Sequence, residues 1–100
     1  MWGENVLKYI VLGKWTDQGR NSIDEAPKRV EIIQNLVEEQ KGSMSVYFTM
    51  GEYDFIGLID IPNEESMVKI LMKVNSMKAA VTKTLKAWPT SEFAKLVSDL

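Results

Sequence analysis

The chain has 100 residues, 45% of them hydrophobic, and its 12 basic and 14 acidic side chains give a formal net charge of -2. This length predicts one domain over residues 1–100, and the lack of excess positive charge argues against nucleic acid as a partner. Cysteine and histidine are both absent, which excludes disulfides, thiol nucleophiles and the commonest transition-metal ligands. The sequence therefore predicts neither a cofactor nor a metal site.

Residues 1–6 are expected to form an N-terminal extension. They contain no charged segment followed by an apolar run and a cleavage site, and no stretch of the chain approaches membrane-spanning length. We therefore expect a soluble cytoplasmic protein that does not bind a membrane.

The first half of the chain changes from a strand pattern to a helix pattern. Leu7 to Lys14 has the apolar, partly β-branched character of a strand, and Thr16 to Gly19 are turn formers. Residues 21–40 follow helical spacing, with a short initial turn and the main helix expected from about Pro27. Gly42 is placed to end this helix.

The second half predicts a hairpin, a helix, a strand and a final helix. Met44 to Met50 alternates apolar and polar residues, and the apolar run from Asp54 to Ile61 follows closely enough for an antiparallel hairpin. Asn63 is a candidate N-cap for a helix whose apolar stripe includes Met67. Ala79 to Trp88 is the fourth predicted strand, and residues 89–100 form the C-terminal helix.

The predicted order is β-α-β-β-α-β followed by a helix, which indicates an α+β, ferredoxin-like sandwich. In this fold, two helices cover one face of a four-stranded antiparallel sheet. The segments Tyr9 to Leu12 and Phe55 to Ile59 are apolar at successive positions, so both faces of their strands are apolar. We therefore expect a homo-oligomer, a dimer or a multiple of dimers, in which sheets pack as a dimeric α/β barrel. The alternative is that the C-terminal helix covers part of the open face.

Four short motifs make the chain resemble the GYD domain family, named for a Gly-x-Tyr-Asp sequence. They are Gly51 to Asp54, Thr16 to Gly19, Pro27 to Arg29, and Thr82 to Trp88, and they span nearly the whole domain. The chain departs from the family pattern at Lys86, where Arg is frequent, and at Asn63, where Asp is common. The resemblance implies a ferredoxin-like, oligomeric domain and no particular biochemical activity.

The Tyr53-Asp54 pair admits two interpretations. Gly51 before it most simply supplies a positive φ at the hairpin tip, and Asp54 is then expected to accept backbone N–H groups while Tyr53 covers a sheet edge. The alternative places the Tyr53 hydroxyl and the Asp54 carboxylate at a pocket, as ligand-binding or acid-base groups. The structural interpretation is favoured.

The last strand carries a second candidate ligand-binding set. One face combines two hydroxyls, a cation and an indole, from Thr82, Thr84, Lys86 and Trp88. On the open face of the sheet, this set suits a small carboxylate or aromatic ligand; at a subunit interface, the same residues satisfy one another. Both alternatives remain open. Core packing, rather than cofactor binding, is expected for Met44, Met50, Met67 and Met72.

Three functions remain open. The first is a small-ligand-binding or regulatory homo-oligomer, with a cavity between the helices or between sheets. The second is a cofactor-independent monooxygenase or isomerase, whose acid-base work would fall to Tyr53, Asp54 or a lysine. The third is a protein-protein interaction module, which predicts a monomer when it is purified alone.

Overall fold

The computed structural model describes residues 6–100, so the expected N-terminal extension lies outside the described residues except for Val6. Four strands and four helices follow one another within this range. Their bounds are β1 Leu7–Trp15, α1 Asp17–Asn21, α2 Ala26–Glu39, β2 Ser43–Phe48, β3 Phe55–Ile61, α3 Glu64–Ser76, β4 Ala80–Ala87 and α4 Thr90–Val97. A single 3₁₀ turn, Ile23–Glu25, joins α1 to α2. No helix in residues 6–100 has the length and apolar character needed to cross a membrane.

The strands form one antiparallel sheet in the order β2-β3-β1-β4. The predicted hairpin between β2 and β3 is confirmed, with Phe48 opposite Phe55 next to the turn. The long helices α2 and α3 each connect two strands that follow one another in the sequence but are not adjacent in the sheet. This is the ferredoxin-like arrangement that the order of the elements predicted.

The hydrophobic core lies between one face of the sheet and the two long helices. It consists of Val11, Ile33, Val37, Ile59, Ile61, Met67 and Ile70. The predicted apolar stripes of α2 and α3 both contribute to it, because residues three or four positions apart share one side of a helix. Val37, Ile61 and Ile70 are completely enclosed.

Within residues 6–100, no element covers the opposite face of the sheet. Leu58 lies beside Ile10 on this face and is 41% exposed, and the edge strand β4 adds Val81 and Leu85, which are 66% and 48% exposed. Helix α4 leaves its own apolar side exposed, including Phe93 and Leu96. Because both surfaces remain in water, α4 does not cover the sheet of its own chain.

The segment predicted as a turn after β1 is the short helix α1. The Thr16 hydroxyl caps this helix by accepting a hydrogen bond from the Gly19 N–H at 3.0 Å, and it donates one to the Lys78 carbonyl at 2.7 Å. A Cβ at Gly19 would overlap the Ala79 carbonyl oxygen, so only glycine allows α1 to approach the start of β4 so closely. Pro27 lies in the first turn of α2, where its missing N–H costs little.

Two of the four methionines predicted to fill the core do not. Met44 and Met67 pack in the core as expected. Met50 lies beyond the end of β2 and Met72 on the outer side of α3, and both are exposed. The prediction was wrong for these two because hydrophobicity alone does not identify the face of an element.

Candidate functional site

An apolar cavity of about 80 Å³ lies between the helix-bearing face of the sheet and the helices. Its walls come from all four strands and from α2 and α3. Aliphatic and aromatic side chains form most of the lining, including Val11, Val30, Ile33, Phe48, Val74 and Met77. A cavity of this size holds several water molecules or a small organic molecule.

Arg29, in the first turn of α2, is the one charged residue among the described residues that line this cavity. Its Nη1 donates to the Ser22 carbonyl oxygen at 3.2 Å and to Ser22 Oγ at 3.3 Å. Its Nη2 is buried and has no hydrogen-bond partner within residues 6–100. A buried donor without a partner costs about 1–3 kcal/mol, and more when it is charged. This guanidinium therefore has an unused donor in an apolar environment.

The indole of Trp15 covers the Arg29 guanidinium. The Arg29 Cζ atom lies 5.7 Å from the centre of the Trp15 rings, within the range of a cation-π interaction. The indole packs in turn against Phe55, at 5.0 Å between ring centres, and Phe48, at 6.1 Å. All three rings line the cavity, and since Phe48 is 54% exposed, this aromatic wall extends to the protein surface.

Asp54 of the Gly-x-Tyr-Asp motif is hydrogen-bonded to the backbone of Trp15. Its Oδ2 accepts a hydrogen bond from the Trp15 N–H at 2.8 Å, and its own N–H donates to the Gly13 carbonyl at 2.8 Å. The predicted role of Asp54 as an acceptor of backbone N–H groups is confirmed. The carboxylate thereby ties the start of β3 to the end of β1.

The rest of the motif shapes the hairpin. Gly51 has a φ of +128°, as its predicted role at the tip requires, and the Tyr53 carbonyl accepts a hydrogen bond from Thr49 Oγ1 at 2.7 Å. The ammonium group of Lys14 lies 5.3 Å from the centre of the Tyr53 ring. Neither Tyr53 nor Asp54 lines the cavity, and Asp54 supports its aromatic wall through the backbone of Trp15.

The candidate set on β4 lies on the helix-bearing side of the sheet. Thr82 pairs with Gly13, Thr84 with Val11, and Lys86 with Tyr9, and directly opposed residues share a face. The alternative in which these residues line the open face of the sheet is therefore corrected. Because β4 is an edge strand, Thr84 and Lys86 remain exposed there.

Lys86 forms a separate cluster with two aromatic rings. Its ammonium nitrogen lies 4.4 Å from the centre of the Trp88 rings and 5.7 Å from that of Tyr9. Burial, and to a lesser extent the negative charge of Glu64, raises the pKa of Tyr9 above its ordinary value of 10.0. The six residues proposed from the sequence thus do not form a single site.

Arg29 was not predicted from the sequence as a site residue. It was noted only as part of the Pro27 to Arg29 motif. Its spacing carries a usable signal, because Arg29 lies three residues after Ala26 and four before Ile33, on the buried stripe of α2. Within residues 6–100, the structure contains no group of three or more acidic side chains placed to hold a metal ion.

Comparison with known proteins identifies relatives of the sequence and of the fold. A Thermus thermophilus protein named glutamine synthetase and cystathionine beta-lyase binding protein is 26% identical over 86 residues, covering 84% of this chain and 90% of the relative. The leucine response regulatory protein of Mycobacterium tuberculosis superposes with a TM-score of 0.61 at 22% identity, over 83% of this chain and 51% of that one. This chain therefore spans about half the length of the mycobacterial protein.

A conserved Bacteroides thetaiotaomicron protein of unknown function, described as a possible oxidoreductase, superposes with a TM-score of 0.59 at 13% identity, covering 83% of this chain and 96% of that one. At these identities, the two structural likenesses support the fold alone. The GYD domain model matches residues 9–97, which include all four motifs that carry the resemblance. The chain belongs to the GYD domain family.

Proposed function

We propose that this GYD domain is a homo-oligomeric small-ligand-binding or regulatory domain, whose ligand occupies the apolar cavity beside Arg29. The observation that carries the proposal is the pairing of an apolar cavity with a buried guanidinium nitrogen that has no partner in residues 6–100. Small-molecule sites usually combine an apolar lining with a few well-placed polar groups. The cavity beside Arg29 has this composition.

The supporting residues have separate roles in the proposal. Asp54 positions the backbone of Trp15, whose indole lies over Arg29, and Tyr53 belongs to the adjoining hairpin. A second, outer set of candidate binding groups lies on the same side of the sheet and consists of Thr82, Thr84, Lys86 and Trp88. We also propose that the protein is cytoplasmic, which agrees with the absence of cysteine from its sequence.

The open face of the sheet is proposed to pack against a second copy of the chain, as in a dimeric α/β barrel. Four strands of about seven residues present roughly 450 Å², and a stable interface buries about 800 Å² on each partner. The exposed apolar side of α4 can supply the remainder. On this face, Lys8 and Asp60 form an ion pair at 2.9 Å. Their charges therefore already compensate each other where the second copy packs.

Filling the cavity tests the ligand-binding part of the proposal. Val74 lines the cavity from α3, whereas Val68 on the same helix is exposed and does not. Small molecules released by denaturing freshly purified protein are identified by liquid chromatography and mass spectrometry. The wild type and Val68→Phe should release the same compound in near-stoichiometric amount, and Val74→Phe should release little. Equal release from both variants, or none from the wild type, contradicts the proposal.

A second candidate function, a protein-protein interaction module, is favoured by the name of the Thermus relative. That protein is described as binding glutamine synthetase and cystathionine beta-lyase. If this chain acts in the same way, the purified chain should be monomeric and should bind one of these two enzymes from its own organism. Leu58→Asp on the open face should then abolish binding, while Val68→Asp should retain it. Sedimentation velocity of the mixtures distinguishes this candidate from self-association.

A further inference from the structure

We propose that the ligand of the cavity is a short-chain monocarboxylate, held by the Arg29 guanidinium with its apolar part among the core side chains. This inference rests on the proposed function and deepens it by naming the ligand class. It follows from three observations: the unused donor of Arg29, the apolar lining, and the small volume.

The unused donor indicates an anion. Nη1 is already bound to Ser22, and Nη2 is buried without a partner in residues 6–100. No ion pair joins Arg29 to another residue in the range 6–100, so no described carboxylate neutralises its charge. A guanidinium matches a carboxylate with charge-assisted hydrogen bonds that are about twice as strong as neutral ones.

The apolar lining limits the charge of the ligand. One guanidinium balances one negative charge, and no other cationic side chain among the described residues lines the cavity. A phosphate dianion brings a second charge into apolar surroundings, where an unpaired charge is costly. The site therefore favours a monocarboxylate over a phosphate ester.

The volume limits the length of the ligand. The cavity of about 80 Å³ is roughly half the size of the engineered 150 Å³ cavity that binds benzene. An apolar chain of about four carbon atoms fits this space, whereas a fatty acid of about eight carbons does not. Butyrate is the simplest probe with these properties.

Trp15 acts as the cover of the site. Its indole lies over the guanidinium at 5.7 Å, and Nη2 is buried beneath the surrounding side chains. A carboxylate bound to the guanidinium therefore lies close to the indole. Binding should change the NMR signal of the Trp15 indole N–H, which provides a local readout that needs no enzymatic activity.

The test is a titration of ¹⁵N-labelled protein with butyrate, its neutral isostere butyramide, acetate and octanoate. We expect saturable shifts of the Trp15 indole signal with butyrate, and at least about tenfold weaker binding of the other three. Arg29→Gln should weaken butyrate binding about 10- to 100-fold. Lys28→Gln, which removes the same charge from the adjacent exposed position, should leave binding unchanged.

The outcomes separate this inference from the proposed function. Equal binding of butyrate and butyramide, or full butyrate affinity in Arg29→Gln, overturns the carboxylate inference, while a compound released by the wild type still supports a ligand-binding domain. Absence of butyrate binding overturns the inference as well. If Arg29→Gln fails to fold, the butyrate-butyramide comparison on the wild type and the milder Arg29→Lys variant decide the question.

Discussion

The Asp54 carboxylate accepts a hydrogen bond from the backbone N–H of Trp15 at 2.8 Å. This contact joins the Gly-x-Tyr-Asp hairpin to the residue whose indole covers Arg29. The most recognisable motif of the chain therefore acts on the cavity indirectly, by fixing its aromatic wall.

Replacing Asp54 tests this connection. Asp54→Ala removes the acceptor and leaves a part-buried N–H unpaired, which should lower the free energy of unfolding by about 1–2 kcal/mol. Asp54→Asn keeps an acceptor oxygen and should cost less than half as much. Glu52→Ala, at an exposed position of the same hairpin, should stay within about 0.5 kcal/mol of the wild type. Urea denaturation measures all three, and equal losses for Asn and Ala would refute the hydrogen-bond role.

Replacing Arg29 tests whether the guanidinium contributes to ligand binding rather than to the stability of the fold. Arg29→Met keeps an apolar stem and removes a buried charge whose Nη2 has no partner in residues 6–100. Such replacements are often neutral or stabilising, so the free energy of unfolding should stay constant or rise by about 1 kcal/mol. The same variant should lose butyrate binding. A loss of more than about 2 kcal/mol in urea denaturation would instead identify Arg29 as a structural residue.

A charged side chain on the open face of the sheet should prevent self-association. Leu58→Asp places a carboxylate in the middle of the proposed interface and should shift the chain from an even-numbered assembly to a monomer in sedimentation equilibrium. Val68→Asp, on the exposed side of α3, should leave the assembly unchanged. A wild type that is already monomeric would contradict self-association, and a Leu58→Asp variant that still assembles would place the interface elsewhere.

The raised pKa of Tyr9 predicts a loss of stability at high pH. Burial and the charge of Glu64 favour the neutral hydroxyl in the folded chain, so above pH 10.0 the unfolded chain loses this proton first. The folded chain then binds more protons than the unfolded one, and stability falls as pH rises through the folded pKa. Glu64→Gln should lower the Tyr9 pKa only in part, since burial is the larger cause, and Glu65→Gln should change it less.

Carbon-13 NMR of the Tyr9 ring measures this titration directly. A Tyr9 that titrates at or below about 10 in the wild type would show that the folded chain does not favour the neutral form.

The fold was predictable from the sequence because each element carries its own local signal. Apolar spacing located α2 and α3, and Asn63 caps α3 through Ser66 N–H at 2.8 Å, as its position predicted. The face of β4 was not predictable, because Thr82 and Thr84 alternate with Val81 and Lys83 without a clear apolar side. Only the register with β1 assigns that face.

The candidate site was less predictable because its parts are far apart in the sequence. Arg29, Trp15 and Phe48 come from three different elements, and their contacts depend on how α2 lies across the sheet. Periodicity places Arg29 on a buried stripe but does not show that its Nη2 is left without a partner. That property emerges only from the packed structure.

Native mass spectrometry of the freshly purified wild type tests self-association and ligand binding together, since one spectrum reports both subunit number and retained small molecules. We expect an even-numbered assembly that carries up to one extra mass per chain, in the range of a short-chain carboxylic acid. A bare monomer would contradict both the sheet-to-sheet assembly and the occupied cavity.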